Sequence, residues 1–299
     1  MRIVAALGGN ALLRRGEPLD AEHQRAHVAD ACRALAAIAP ENELVVTHGN
    51  GPQIGLLALQ AMTSAATSPY PLDVLGAETE GMIGYLIAQE LGNSLGARPV
   101  VTLLTQVLVD RDDPGFASPT KPIGPTYTLA EARRVAGEYG WTIAPDGDRW
   151  RRVVPSPTPH VVLELTTIRM LASAGIVVIA AGGGGVPVVE VDGVRHGVEA
   201  VVDKDRTAAL LARDLNADAL LLLTDVDAIY ADFGTPAARP LRRLSPAALK
   251  AMSLPPGSMG PKAEAAAWFV EQTGRTAVIG ALEMARLLPA GEAGTVVEP

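Results

Sequence analysis

Lysine is scarce in this chain, and three lysines sit where their charge asks for a partner. Lys204 lies between two aspartates in "VVDKDRTAALL", where a β-branched run gives way to a helical pattern. A cation in the first turn of a helix faces the positive end of the helix dipole, unfavourable by roughly a few tenths of a kcal/mol. Lys262, in "GSMGPKAEAAAWFV", has the same difficulty, because Pro261 reads as the first helical residue. Lys121, in "SPTKPIGPTYT", sits in a proline-stiffened loop from which it could reach over a site as part of a lid. A phosphate lying between the two helix starts would resolve both placements. The plain alternative stays open: Asp203 or Asp205 serves as an ordinary N-cap and Lys204 is solvated beside it.

Glycine clusters supply the second half of the expected chemistry. "GGN" (Gly8, Gly9, Asn10) follows the first apolar strand, "HGNGPQIG" (His48–Gly55) follows the second, and "GGGGVP" (Gly182–Pro187) follows the run "IVVIAA". Backbone N–H groups in such loops form an anion cradle without a cationic side chain, so a phosphate-bearing ligand is expected. The familiar nucleotide motifs do not account for them. No Walker spacing ends in Lys-Ser/Thr, and "GNGPQIG" misses the dinucleotide fingerprint because its third glycine comes one residue late and Pro52 intervenes. His23 and His27 have a possible metal spacing, but no further ligands stand nearby and a solvated helix face accounts for them, so no metal ligand is assigned. His48 reads as a residue that hydrogen-bonds its own loop.

The elements that must hold these residues alternate in type. Short β-branched runs at 2–7, 43–48, 98–107, 176–181, 218–224 and 276–280 are separated by helical patterns at 19–38, 52–66, 73–92, 164–174, 205–215 and 261–273. This is the rhythm of an α/β fold, a largely parallel sheet covered on both faces, whose ligands bind beyond the carboxyl ends of the strands. Between about residues 110 and 160 the rhythm breaks. That segment is rich in proline, glycine and charge, and "WTIAPDGDRWRRVV" reads as a hairpin around a Pro-Asp-Gly turn, a small excursion from the sheet.

Composition bounds the function. The 299 residues carry 48% hydrophobic and only 4% aromatic residues, a globular core of Ala, Val, Leu and Ile. A net charge of −8 and no basic run argue against nucleic acid or an anionic membrane as partner. The single cysteine, Cys32, rules out an internal disulfide and falls on an apolar helix face. Met1 leads directly into a strand, with no signal peptide and no run long enough to span a membrane, so a cytoplasmic protein is expected.

With these segments in hand, the sequence resembles carbamate kinase, of the amino acid kinase superfamily. The stretches that carry the resemblance are "ALGGNALL", "VVTHGNGPQIG", "LTQVLVD", "PTKPIGP", "RRVVPSP", "AAGGGGVPVV", "VEAVVDKD", "LLTDVDAIY", "PPGSMGPK" and "GTVV", in order from Leu7 to Val297. The resemblance implies a three-layer αβα sandwich, a single amino acid kinase domain over 1–299 with a small protruding lid inserted at about 110–160, assembled as a homodimer. It implies reversible phosphoryl transfer between ATP and carbamate, giving ADP and carbamoyl phosphate, with Mg²⁺, and commonly run toward ATP at the end of arginine fermentation. Carried over residue by residue, Gly8, Gly9, Asn10, Gly49, Asn50, Gly51, Gly182 and Gly183 would surround carbamate and the transferred group. Lys121, Lys204 and Lys262 would neutralise phosphates, with Asp205 orienting the lysines. Thr224, Asp225, Val226 and Tyr230, with Ser258 and Met259 before Lys262, would hold the nucleotide. The helical stretch "PYPLDVLGAETEGMIGYLIAQEL" resembles the family's segment near the dimer contact. The alternatives are another phosphotransferase of the superfamily and a nucleotide-binding regulator without turnover.

Overall fold

The structure is a computed structural model that describes residues 1–9, 12, 17, 20–63, 69–255 and 259–299; Asn10 and Ser258 therefore lie outside the described residues. Six short apolar runs become neighbouring parallel strands of an eight-stranded sheet, in the spatial order Thr276–Ala281, Ala219–Thr224, Arg2–Leu7, Glu43–His48, Val177–Ile179, Val100–Thr102. Beyond Thr276–Ala281 the sheet is finished by Thr295–Val297, which runs antiparallel to it, and by Arg243–Leu244.

Alternate residues of each strand feed two separate cores, as the pleat requires. Val4, Ala6, Val45, Leu220, Leu222 and Ile279 face helices Lys204–Asp214 and Met259–Thr273. Ile3, Ala5, Leu7, Val46, Leu221 and Val278 face helices Ala21–Ala36 and Leu72–Leu95. The central strands are buried on both sides, which is why they read as continuous apolar runs rather than as alternating ones. Cys32 is part of the second core, and burial pushes its thiol up to about 12, an inert group.

Two sequence expectations need correction. The run 98–107 is not one strand. It divides into Val100–Thr102 in the main sheet and Gln106–Val109 in a second, four-stranded sheet. The break falls at Thr105, whose backbone N–H leaves the ladder to donate to Glu80 Oε2 at 2.9 Å. Pro261 is third rather than first in its described helix, Met259–Thr273, so Lys262 closes the first turn.

The irregular segment is better ordered than its composition suggests. The expected hairpin is present as Thr142–Asp146 and Arg149–Val154, with Asp146 opposite Arg149 and Gly147 at φ 65° in the turn. Lys121–Tyr127 adds a third strand. A helix that the sequence reading lacked, Leu129–Tyr139, covers this small sheet, and it starts with a reciprocal capping box between Thr128 and Glu131. The whole insertion leaves the second sheet by Gln106–Val109 and returns to it by Pro159–Val162.

Candidate functional site

Parallel strands end on one edge, and the hydrogen-bond ladder continues past their ends into the glycine loops. Gly8 N–H donates to Leu223 O at 3.1 Å, Gly49 N–H to Leu7 O at 3.3 Å, and Ala180 N–H to Val46 O at 2.9 Å. Thus Gly8, Gly9, Gly49, Thr224 and the loop Gly182–Gly184 stand side by side. A side chain would be tight at two of these glycines. A Cβ on Gly8 would lie 3.0 Å from Leu223 O, and one on Gly49 would lie 3.2 Å from both Cδ and Cε of Lys204.

Helix Lys204–Asp214 and helix Met259–Thr273 pack on the same sheet face, so their first turns bring two lysines to this edge. Lys204 Nζ is 2.8 Å from Asp205 Oδ1, and Lys262 Nζ lies 3.2 and 3.1 Å from the two oxygens of the same carboxylate. A Cβ on Gly8 would stand 4.0 Å from Lys262 Nζ, which fixes the triad against the first strand end. Asp203 is the N-cap of the helix, accepting from Asp205 N at 3.0 Å and Arg206 N at 3.1 Å, and its second oxygen receives Lys121 from the insertion. The capping alternative and the clustered-cation alternative therefore hold together: Asp203 caps, Asp205 binds lysines.

Four of these five charged groups are nearly dry, with Lys121 the more exposed fifth, and three cations face two anions. Burial opposes ionisation of Asp205, but Lys204 and Lys262 outweigh it and hold its carboxyl below the usual range. Asp203 is held low in the same way by Lys121 and Lys204. Burial also works against charged Lys204, yet Asp205 and Asp203 leave it raised. Lys262 is the surplus cation. Burial and repulsion by Lys204 exceed what Asp205 returns, and its ammonium is pulled down to about 8. A buried excess of positive charge at the carboxyl edge of a parallel sheet is what an anion would complete.

The other expected residues fall into neighbouring groups. Asn50 lies against Gly183, which is in the left-handed region at φ 65°, and its amide donates to Thr79 Oγ1 at 2.8 Å. Gly182 abuts His48, as Gly51 abuts the insertion, with Pro122 O 3.8 Å from where its Cβ would stand. Thr224 ends its strand with its hydroxyl donating to Asp225 at 3.1 Å. Tyr230 forms a separate group one loop further on, its hydroxyl donating to Asp227 Oδ1 at 2.7 Å while Arg242 meets Oδ2 at 3.2 Å. Half-buried Val226 lies between these groups, and Met259 packs on the first core. The histidines of the first helix pair locally, His23 with Asp20 and His27 with Glu17.

Sequence reasoning missed Thr79, Glu80 and Thr105, which prop the triple-glycine loop. The signal for Glu80 was present: Leu72, Gly76, Glu80, Ile83 and Ile87 form one buried helical stripe, and a carboxylate on such a stripe is out of place.

The sequence profile of the amino acid kinase family matches residues 1–281. The chain belongs to this family. Among its relatives, the carbamate kinase of Haemophilus influenzae is 54% identical over 99% of this chain and 96% of its own. That of Escherichia coli K12 is 49% identical over 99% and 98%. A solved structure of carbamate kinase from Giardia lamblia bound to AMP-PNP is 37% identical, covers 99% of this chain and 98% of that one, and superposes with a TM-score of 0.90. An isopentenyl phosphate kinase of T. acidophilum shares only the fold at 14% identity and a TM-score of 0.59.

Proposed function

We propose that this member of the amino acid kinase family is a carbamate kinase, moving a phosphoryl group between ATP and carbamate with ADP and carbamoyl phosphate on the other side. The observation that carries the reading is the dry Lys204–Asp205–Lys262 triad set against Gly8 and Gly49 at the carboxyl edge of the sheet. Carbamate is already an anion at neutral pH, so its oxygen needs no general base to attack phosphorus. Alignment and charge stabilisation suffice, and lysines with the glycine loops that follow the strands supply both.

In this reading Lys204 and Lys262 take the oxygens of the transferred group, and Asp205 aims the two ammonium groups rather than cancelling them. Gly8, Gly9 and Asn10 with Gly49, Asn50 and Gly51 surround carbamate and the phosphoryl group, closed on one side by Gly182 and Gly183. Thr224, Asp225, Val226 and Tyr230, with Ser258 and Met259, border the nucleotide. Residues 110–160 act as a lid on a single amino acid kinase domain. The ion pair between Lys121 and Asp203 gives the lid a contact on the catalytic helix, and a phosphate would compete with Asp203 for that lysine. Mg²⁺ fits as the nucleotide's counter-ion: among the described residues no group of three ligating side chains gathers, so phosphate oxygens and water would hold it, neutralising charge during transfer.

The physiological direction toward ATP in arginine catabolism and a cytoplasmic location belong to the same reading. No helix among the described residues is long and apolar enough to cross a membrane. A homodimer through helix Leu72–Leu95 is supported by exposed Met82 and Tyr85 on its outer face.

The test is direct. Purified protein given ADP, Mg²⁺ and carbamoyl phosphate makes ATP, and Lys204→Ala lowers turnover on the order of a hundredfold or more while the circular dichroism spectrum is unchanged. Failure to make ATP, with phosphorylation of a different acid, would transfer the chain to another activity of the family.

A further inference from the structure

Glu80 is 1% exposed, inside the contact between helix Leu72–Leu95 and the triple-glycine loop. Its Oε2 accepts the Thr105 N–H at 2.9 Å, and its Oε1 is buried with no hydrogen-bond partner. Thr105 passes the restraint on. Its Oγ1 donates to Leu103 O and accepts the Ala181 N–H, each at 2.9 Å, while its carbonyl accepts the Val186 N–H at 2.8 Å. The loop Gly182–Gly184 is therefore tied to Thr105 at both ends. Ala181, which opens it, is held at φ 51°, a left-handed conformation that an alanine keeps only when its surroundings impose it.

The groups facing Glu80 leave no room for a negative charge. From strand Glu43–His48 comes His48, whose Nδ1–H donates to Gly49 O at 3.0 Å and whose imidazole is kept neutral by burial, down at about 4. Its Nε2 is then a lone pair, and together with Glu80 Cγ it walls the space where a Cβ on Gly182 would stand. From the start of helix Leu165–Ser173 comes Glu164, an anion that accepts from Gln106 N at 2.7 Å and Nε2 at 3.2 Å. Burial raises the Glu80 carboxyl well above its usual range, against the Thr105 N–H and with the help of Glu164. A charged Glu80 would be a dry anion with one bare oxygen, aimed at a loop that must accept an anionic substrate.

We propose that Glu80 is a positioning residue for phosphoryl transfer, acting as a neutral carboxylic acid that fixes Thr105 and through it the Gly182–Gly184 loop. This rests on the reading of that loop as part of the carbamate site. Oε2 serves as acceptor in the acid as well as in the anion, so the proton removes the charge without releasing the loop.

The test compares the whole enzyme with Glu80→Gln, Glu80→Ala, Thr105→Val and Thr105→Ser, varying carbamoyl phosphate and ADP separately. Glu80→Gln, neutral and able to accept from Thr105, keeps kcat within a few-fold. Glu80→Ala and Thr105→Val lose on the order of a hundredfold in kcat/KM for carbamoyl phosphate at unchanged KM for ADP, and Thr105→Ser restores most of it. Difference infrared spectra at neutral pH carry a protonated-carboxyl C=O band in wild type that Glu80→Gln lacks. Glu80→Gln as impaired as Glu80→Ala, a missing band, or variants indifferent to both truncations would overturn the proposal. Should Glu80→Ala not fold, the Thr105 pair and Glu80→Gln still decide it. A wild-type chain that makes no ATP sinks the carbamate kinase reading instead, and the infrared band alone then decides the state of Glu80.

Discussion

At the scale of single residues the site is governed by one excess charge. Asp205 serves two lysines, and Lys262 is the less compensated of them, down at about 8. Below that value it is an ammonium ready for a phosphate oxygen, and above it the proton is lost, so kcat/KM for ADP falls as pH rises through about 8 in the free enzyme. Replacing the group by one that does not titrate in this range separates charge from shape: Lys262→Arg flattens the alkaline limb of the pH profile even where the bulkier guanidinium lowers the absolute rate. A limb that persists unchanged in Lys262→Arg would assign it to another group. Lys204 and Lys262 were legible in the sequence because each broke a local electrostatic rule, and Lys121 because it stood in a proline-stiffened loop. Glu80 broke an equally plain rule, but inside a 24-residue helix whose other signals were ordinary. Thr79 and Thr105 carried no signal of their own, since a threonine says nothing of its partner until the chain has folded.

At the scale of elements, the contact that seats the insertion on the parent fold is made by two glycines. Helix Gly51–Thr63 crosses strand Lys121–Tyr127 so closely that a Cβ on Gly55 would collide with the Gly124 backbone. Gly55→Ala should cost about 1–3 kcal/mol in urea unfolding, as overpacking does, and open residues 110–158 to limited proteolysis while the strands beneath remain protected. Equal protection in variant and wild type would mean that the contact can shift without loss. The expected helices were recovered to within a few residues, because their apolar stripes and end signals are local. The run 98–107 was misjudged for the opposite reason: nothing local marks Thr105 as the residue where a strand leaves one sheet for another, since its N–H is claimed by a carboxylate 25 positions away. Helix Leu129–Tyr139 had a readable start in Thr128 and Glu131, hidden by the polar composition around it.

At the scale of the whole molecule, the two edges of the main sheet have different duties. The carboxyl edge gathers glycines and lysines. The opposite edge is tied by arginines: Arg2 meets Glu43 and Leu215 O, and Arg98 donates to Gly175 O at 2.8 Å, Asn42 O at 2.8 Å and Ala39 O. Arg98→Ala leaves three carbonyls short of a donor and should lower unfolding free energy by about 2–4 kcal/mol, with kcat unaltered, because no element of the site is held from that edge. A fall in kcat at full folding would show that the edges are coupled. That the fold would be a covered, mainly parallel sheet was readable from the alternation of patterns. The order of its strands was not, because pairing Ala219–Thr224 with Arg2–Leu7 joins segments more than two hundred residues apart.

The strands by which the insertion departs and returns are themselves partners, Val107 opposite Val162 and Leu108 opposite Val161. Its two ends are thus about 4.8 Å apart, the spacing of neighbouring strands, and the parent ladder closes without it. Such a piece is a replaceable part in evolutionary terms. Under the proposed reading, what covers the substrate could be lengthened, trimmed or exchanged while the edge proposed to grip phosphate stays intact, so a new acceptor molecule would need only a new cover on an old enzyme.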